Sequence, residues 1–287
     1  MTFSSLALYF EKLEQTSSRL VLINILSDLF KHTSALEIDK IVYLTQGRIA
    51  PFFEATEIGM AEKTVAQAIG LAYGFAKEDI LKRYNKLGDM GFVAEEMSKH
   101  SKSEMLKPAS QRGEQVQHDR NISVSEVFEI LTKIAKTSGE GTVEKRQTLL
   151  SDLLKKLEPI SAKHLVRIPL GNTRLGIGDP TILDSLATAK LGDKSKRKLL
   201  EGAYNRTSDL GLIAKTLFSQ GLQAVQKLKV QVGKPIRSEL CERLPTPEKV
   251  IEKMTHSTSS GPSGVNAQLK YDGFRVQIHK DGNKVTM

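Results

Sequence analysis

The sequence predicts a mainly α protein, built of two related helical halves and followed by the beginning of an α/β unit. Three observations carry this. Apolar residues recur at intervals of three and four from Phe3 to Phe218, with capping residues at the breaks. Short stretches of the first hundred residues return about 120 positions later. From Val230 onward, prolines, a Ser/Thr/Gly-rich loop and a period-two alternation replace the helical spacing.

Taken in order, Phe3, Leu6, Tyr9, Phe10 and Leu13 share one face of a first helix. Ser17-Ser18 can cap a second, with Leu20, Ile23, Leu26 and Phe30 on its face. Ile41 to Phe53 reads as a partly buried helix stopped or bent around Pro51. Alanine-rich Ala61 to Phe75 and the short Asp89 to Met97 follow as helices. Lys99 to Asn121 is polar and reads as a loop or linker. Ser123-Val124-Ser125-Glu126 has the Ser-x-x-Glu spacing of a capping box, Val127, Ile130, Leu131 and Ile134 continue it, and Gly139 suits the stop. Helices over Val143–Leu157 and Ser161–Leu170 come next. After the glycine-rich run from Gly171 to Gly178, Asp179-Pro180 reads as an N-cap and first-turn pair. Helices then continue through Leu191, over Lys196–Tyr204 and over Ser208–Ser219.

The internal echo is specific. Leu26-Ser27-Asp28-Leu29 returns as Leu150-Ser151-Asp152-Leu153, an offset of 124, and Asp89-Met90-Gly91-Phe92-Val93-Ala94 returns as Asp209-Leu210-Gly211-Leu212-Ile213-Ala214, an offset of 120. Ile58-Gly59 likewise matches Ile177-Gly178. The period is far too long for a solenoid. It points to halves at about 1–98 and 122–220, joined by the polar stretch near 99–121, within a helical domain spanning 1–229. A second domain begins at 230 and is incomplete at 287, because so few residues cannot close an α/β core.

Composition excludes several classes. Hydrophobic residues make up 39%, too many for a disordered chain. No run of eighteen apolar residues is present, so no membrane span or membrane partner is expected, and the N-terminus lacks the features of a signal peptide. One cysteine, Cys241, precludes an internal disulfide and gives a Cys-based zinc site no support. The six histidines show no metal-ligand spacing, so no metal ligand is expected within these residues. A reducing, cytoplasmic location is the expectation. The net charge is +9, unevenly placed: residues 1–98 hold 10 Lys+Arg against 13 Asp+Glu, and residues 190–237 hold 11 against 3. Such clustering suits a polyanion such as nucleic acid.

Near the C-terminus, the apolar run Val265–Leu269 leads into Lys270-Tyr271-Asp272-Gly273-Phe274-Arg275, and Val276 to Thr286 reads as a hairpin around an Asp281-Gly282 turn. A lysine at a strand end beside an arginine is a candidate nucleophile, since desolvation and a nearby cation depress its pKa. Asp272 and Gly273 shape a corner open to a phosphate, and Arg275 offers a planar fork of donors. Taken alone, these six residues favour an ordinary solvated turn.

Lys-x-Asp-Gly-x-Arg resembles the nucleotidyl-transfer motif shared by ATP-dependent DNA ligases, RNA ligases and messenger-RNA capping enzymes. Three further stretches are similar to DNA ligases of the archaeal and eukaryotic replicative type. These are Leu165-Val166-Arg167-Ile168-Pro169-Leu170-Gly171-Asn172-Thr173-Arg174-Leu175-Gly176, then Asn205-Arg206-Thr207-Ser208-Asp209-Leu210-Gly211, then Pro235-Ile236-Arg237 with Glu242-Arg243-Leu244. RNA ligases and capping enzymes share the lysine motif but not this helical N-terminal part. The resemblance implies that 1–229 is a DNA-binding domain and 230–287 the start of an adenylation domain. It implies ATP and Mg2+ as cofactors, with Lys270 becoming the adenylated lysine and Gln268 and Arg275 contacting the nucleotide. The family usually has glutamate where Gln268 stands; the amide oxygen can still accept the adenine amino group.

For Arg167, Gly171, Arg174, Gly176 and Gly178 the implied role is sequence-independent phosphate contact, glycines admitting the backbone and arginines supplying charge. Ordinary helix-surface charge is the alternative for the two arginines. The Gly-x-Gly at 176–178 is no dinucleotide fingerprint, since Thr181 holds the third glycine position. Nicked double-stranded DNA is the implied partner of a monomer, and replicative ligases often dock a sliding clamp through their N-terminal segment. A second reading stays open: a non-catalytic helical DNA-binding module with a structural lysine hairpin.

Overall fold

The computed structural model describes residues 1–105, 122–238, 243–255, 269, 273 and 276–287. Six helices form the first half: α1 (Phe3–Glu14), α2 (Arg19–Lys31), α3 (Ile38–Thr45), α4 (Glu62–Tyr73), α5 (Lys77–Leu87) and α6 (Met90–Met105). Six more form the second: α7 (Val124–Lys136), α8 (Thr142–Lys155), α9 (Pro159–Arg167), α10 (Asp179–Leu191), α11 (Arg197–Thr207) and α12 (Leu210–Gln220). Short α13 (Leu222–Gln226) and α14 (Pro247–Thr255) precede a two-stranded hairpin, β1 (His279–Asp281) and β2 (Lys284–Thr286). The protein is mainly α, as its apolar spacing predicts.

The halves are related by a twofold pattern of packing. Thr2 and Ser123 cap α1 and α7, each accepting an N–H from three residues ahead, and the two caps form an antiparallel bridge. Its bonds are reciprocal: Phe3 N–H donates to the Ile122 carbonyl (2.9 Å) and Val124 N–H to the Met1 carbonyl (3.0 Å). Across the same axis α9 packs on α6 as α3 packs on α12, and α2 packs on α10 as α8 packs on α4. The halves are therefore interlocked. One continuous apolar core runs from Phe3 to Val225, with Phe3, Leu6, Leu26, Phe30, Leu131, Leu165, Leu186 and Leu217 wholly buried.

The Asp-x-Gly echo now has a physical cause. Asp89 caps α6 by accepting Gly91 N–H (2.6 Å) and Phe92 N–H (3.2 Å). Asp209 caps α12 by accepting Leu212 N–H (2.9 Å). A Cβ on Gly91 would lie 2.6 Å from Arg167 Nε, and one on Gly211 would lie 2.2 Å from Tyr43 Cζ. Each glycine thus admits a side chain from the other half, which bonds the adjacent aspartate.

Several boundaries differ from the sequence reading. Helix α3 stops at Thr45, well before Pro51, because Gly47 turns left-handed (φ 71°) and Gln46 swings its amide to Asp179. Gly178, not Asp179, caps α10, since three donors from other elements hold the Asp179 carboxylate. Helix α6 runs on to Met105, past Met97 and into the polar stretch: Ser98 is fully buried, and an exposed Lys99–Glu95 pair (2.5 Å) supports the outer face. Helix α5 buries only Ile80, so hydrophobic periodicity does not announce it. The predicted hairpin is present, with His279 opposite Thr286 and a two-residue Gly282-Asn283 turn in which Gly282 is left-handed (φ 57°). Of the strand expected over 265–269, residues 265–268 lie outside the described residues, as do the loop over 256–264 and the remaining linker over 106–121.

Candidate nucleic-acid interface

Two loops, one from each half, meet on one side of the core. The first joins α3 to α4 over residues 46–61 and the second joins α9 to α10 over residues 168–178. Met60 N–H donates to the Pro169 carbonyl (3.1 Å), and a Cβ on Gly47 would lie 2.9 Å from Thr173 Cγ2. Arg48, Gly59, Gly171, Asn172, Arg174, Gly176 and Gly178 are exposed along this face. Gly171 and Gly176 are left-handed (φ 67° and 65°), and a Cβ on either would meet nothing within 4 Å. Gly171 N–H is engaged by the Ile168 carbonyl (2.9 Å), whereas among the described residues Gly176 and Gly178 N–H have no partner. A macrodipole adds partial positive charge at the α10 start.

Arg174, left-handed at φ 56°, donates to the Gly88 carbonyl (2.8 Å) and pairs with Asp89 (2.8 Å). Its side chain stays 43% exposed, so it is anchored yet reachable. Arg167 is placed otherwise. It is only 2% exposed, and its guanidinium bonds Glu14 through two nitrogens (2.9 and 3.0 Å) and Asp89 through two (3.2 and 2.9 Å). No donor is turned to solvent, so the direct phosphate contact expected of Arg167 is replaced by a structural one. Asp89 joins the two arginines, helix cap and loop into one unit.

That unit extends to α1. Lys163 lies 2.8 Å from Glu11 and 2.8 Å from Glu14, and it and Arg167 sit over the Phe92 ring. Burial pushes the Glu14 carboxyl up, but Arg167 and Lys163 overcome it and hold it at about 2. His164 bonds Glu11 (3.0 Å) and packs edge-on to Phe10. Burial, with Lys163 and Arg167 nearby, lowers its imidazole to about 4 despite Glu11; it is neutral at pH 7. Glu11, Glu14 and His164 bring ligand atoms within 4.8 Å of one another, a cluster no sequence spacing reveals. The Lys163 ammonium and the Arg167 fork already meet its charge, so it does not fit a magnesium ion.

The cations of 190–237 do not form one free patch. Lys215 pairs with Asp39, Arg197 with Asp184 and Glu201, and Arg206 donates to the Leu228 and Gln226 carbonyls. Lys194 and Lys198 are exposed. Gln268, Lys270 and Arg275 lie outside the described residues. No described helix is long and apolar enough to cross a membrane.

Fold and face define the class: an all-helical, internally repeated module with two linked inter-helix loops presented on one side. Comparison gives the family. The family model described as DNA ligase N terminus matches residues 2–187, and the chain belongs to that family. It is 42% identical over 285 residues to a probable DNA ligase of Dictyoglomus turgidum, covering 99% of this chain and 45% of that protein. It is 42% identical over 287 residues to DNA ligase 2 of Thermofilum pendens, covering 100% and 46%, and 40% identical over 286 residues to the DNA ligase of Sulfolobus acidocaldarius, covering 99% and 46%. The chain thus spans less than half the length of these relatives.

Proposed function

We propose that the chain is the front part of an ATP-dependent DNA ligase whose helical body holds nicked duplex DNA by its phosphates. One observation carries the DNA-binding part: equivalent loops of two interlocked halves lie side by side, opened by glycines and edged by Arg48 and Arg174. A duplex has local twofold symmetry in its backbones, so a twofold protein face can meet both strands alike. Donors of this kind read phosphate rather than base, which suits sealing at any sequence.

The chemistry is assigned to Lys270. Its amine attacks the α-phosphorus of ATP, a P–N bond forms, and the bond to the departing pyrophosphate breaks. The adenylate then moves to the 5′-phosphate of a nick, freeing the amine, and the 3′-hydroxyl displaces AMP to join the strand. Gln268 and Arg275 supply an acceptor and a forked donor for the nucleotide. Magnesium when bound offsets phosphate charge; none of the described carboxylate clusters is assigned to it. The 287 residues alone are expected to bind duplex without sealing it.

ATP labelled on its α-phosphate tests this reading in the full-length ligase. Uptake of protein-bound label that resists alkali and is released by hot acid, as a P–N bond requires, abolished in Lys270→Ala, is the expected result. A labelled Lys270→Ala protein would remove the lysine from its role, and an unlabelled protein that still binds nicked duplex would be the non-catalytic module instead. Efficient joining by residues 1–287 alone would overturn the division of labour.

A further inference from the structure

The segment leading out of the helical body is fastened at both ends, once to the helices and once to the C-terminal hairpin. Its first fastening is Arg237. The Arg237 backbone N–H donates to the Asn205 carbonyl (2.8 Å), and its guanidinium donates to Tyr204 Oη (2.6 Å) and pairs with Asp179 (3.1 Å). The guanidinium carbon lies 4.6 Å from the Tyr204 ring centre and 6.0 Å from that of Phe52. Asp179 is itself overdetermined: Gln46 from the first half (3.0 Å) and Tyr204 from α11 (2.5 Å) also donate to it. Four residues past Tyr204, Ser208 ends α11 in the left-handed region (φ 52°) and donates its hydroxyl to the Pro235 carbonyl (2.6 Å). Residues 204–208 thus form a socket for 235–237.

The second fastening is Gln277. Its side-chain amide mimics one rung of a β-ladder on the same segment: Ile236 N–H donates to Gln277 Oε1 (2.8 Å), and Gln277 Nε2 donates to the Ile236 carbonyl (2.5 Å). Gly233 N–H donates to His279 Nδ1 (3.1 Å). A continuous path therefore runs from Asp179, at the start of α10 beside exposed Gly178, through Arg237 and Ile236 to Gln277, seven residues beyond Lys270 in sequence.

We propose that Arg237 and Gln277 are positioning residues that set the C-terminal hairpin, which follows Lys270 in sequence, in register with the DNA-holding face. The proposal rests on the ligase reading for its purpose and on the geometry above for its mechanism. Adenylation of the lysine needs nucleotide and its metal but no nick. Joining also needs the nick at a set distance from the lysine, and a displacement of about 1 Å can cost on the order of a hundredfold in rate.

Hydrogen exchange on the 287-residue chain tests the path without reference to catalysis. Arg237→Ala is expected to raise exchange at least about tenfold over 233–238 and over 277–281 while α10 and α11 stay unchanged. Gln277→Ala is expected to raise it at Ile236 and 277–281 but to leave Arg237 N–H protected. Arg237→Lys keeps the charge but loses the fork and its stacking, and falls between. Unchanged exchange over 277–281 in Arg237→Ala overturns the coupling, and general loosening of α10 and α11 shows a merely structural role. In the full-length ligase, Arg237→Ala is expected to keep Lys270 labelling within about twofold and to lower nick joining at least about tenfold; equal loss of both overturns the positioning role. An unlabelled unsubstituted protein would be the failure of the ligase reading, and the exchange result would stand apart from it.

Discussion

Replacing Arg167 by methionine separates two roles that the sequence leaves together. Methionine fills much of the space, so the cost is electrostatic rather than that of a large cavity. Four hydrogen bonds vanish, two to Glu14 and two to Asp89, and Asp89 keeps a side chain only 2% exposed. Removing one partner from a buried ionic cluster costs roughly 3–5 kcal/mol. Arg174 still pairs with Asp89 and Lys163 with Glu14, which places the expectation near the lower bound. Urea unfolding reads the stability, and duplex affinity over a range of salt reads the phosphate contacts. Arg167→Met is expected to lose about 3 kcal/mol and, while folded, to keep its salt slope. Arg174→Met, whose parent side chain is 43% exposed, is expected to lose less than about 1 kcal/mol and to lower the salt slope by about one. An Arg167→Met protein as stable as its parent but with a reduced salt slope would refute the buried-network reading and return Arg167 to the proposed DNA surface.

Two further expectations follow from the same core. His164 is held at about 4 and Glu14 at about 2, both below their ordinary values of 6.5 and 4.5. For both groups the unfolded chain binds more protons in the window between the two values, so stability falls as pH falls, from about 6.5 to 4 for His164 and from about 4.5 to 2 for Glu14. Each contributes on the order of 3 kcal/mol at full extent, and His164→Gln is expected to flatten the urea midpoint between pH 6.5 and 4; an unchanged slope there would show that other groups set it. Gly211→Ala places a methyl against the Tyr43 ring, which Asp209 holds through a 2.7 Å bond, and is expected to cost about 1–3 kcal/mol by calorimetry. Gly202→Ala, whose Cβ would meet nothing closer than 3.7 Å, is expected to be neutral or to stabilise by up to about 1 kcal/mol; equal costs would disprove the packing argument.

Local chemistry made much of the fold legible. The Ser123 cap, the period of α1, α4 and α7, and the Gly282 turn depend on residues within a few positions of each other, so the chain alone declares them. Helix α7, however, ends at Lys136 with an extended Thr137, short of Gly139, and Leu20 of the expected α2 face is exposed. The repeat was legible for the same reason: an aspartate capping a helix two residues before a glycine leaves the same trace twice. Helix α5 left none, because a helix held by one buried isoleucine needs no apolar stripe.

The candidate site divides along the same line. Sequence alone determined the helical class, and it pointed to the Asp-x-Gly echo and to the glycine-arginine loop from Gly171 to Gly178. Tertiary structure alone decided what each charge does. Arg167 and Arg174 are seven positions apart and alike in composition, yet one is sealed between Glu14 and Asp89 and the other reaches solvent. Asp179, by its neighbours a helix cap, is bound instead by Gln46, Tyr204 and Arg237. The reason is that a charge's role depends on its desolvation and on partners brought from 25 to 153 residues away, and neither quantity is written in local sequence.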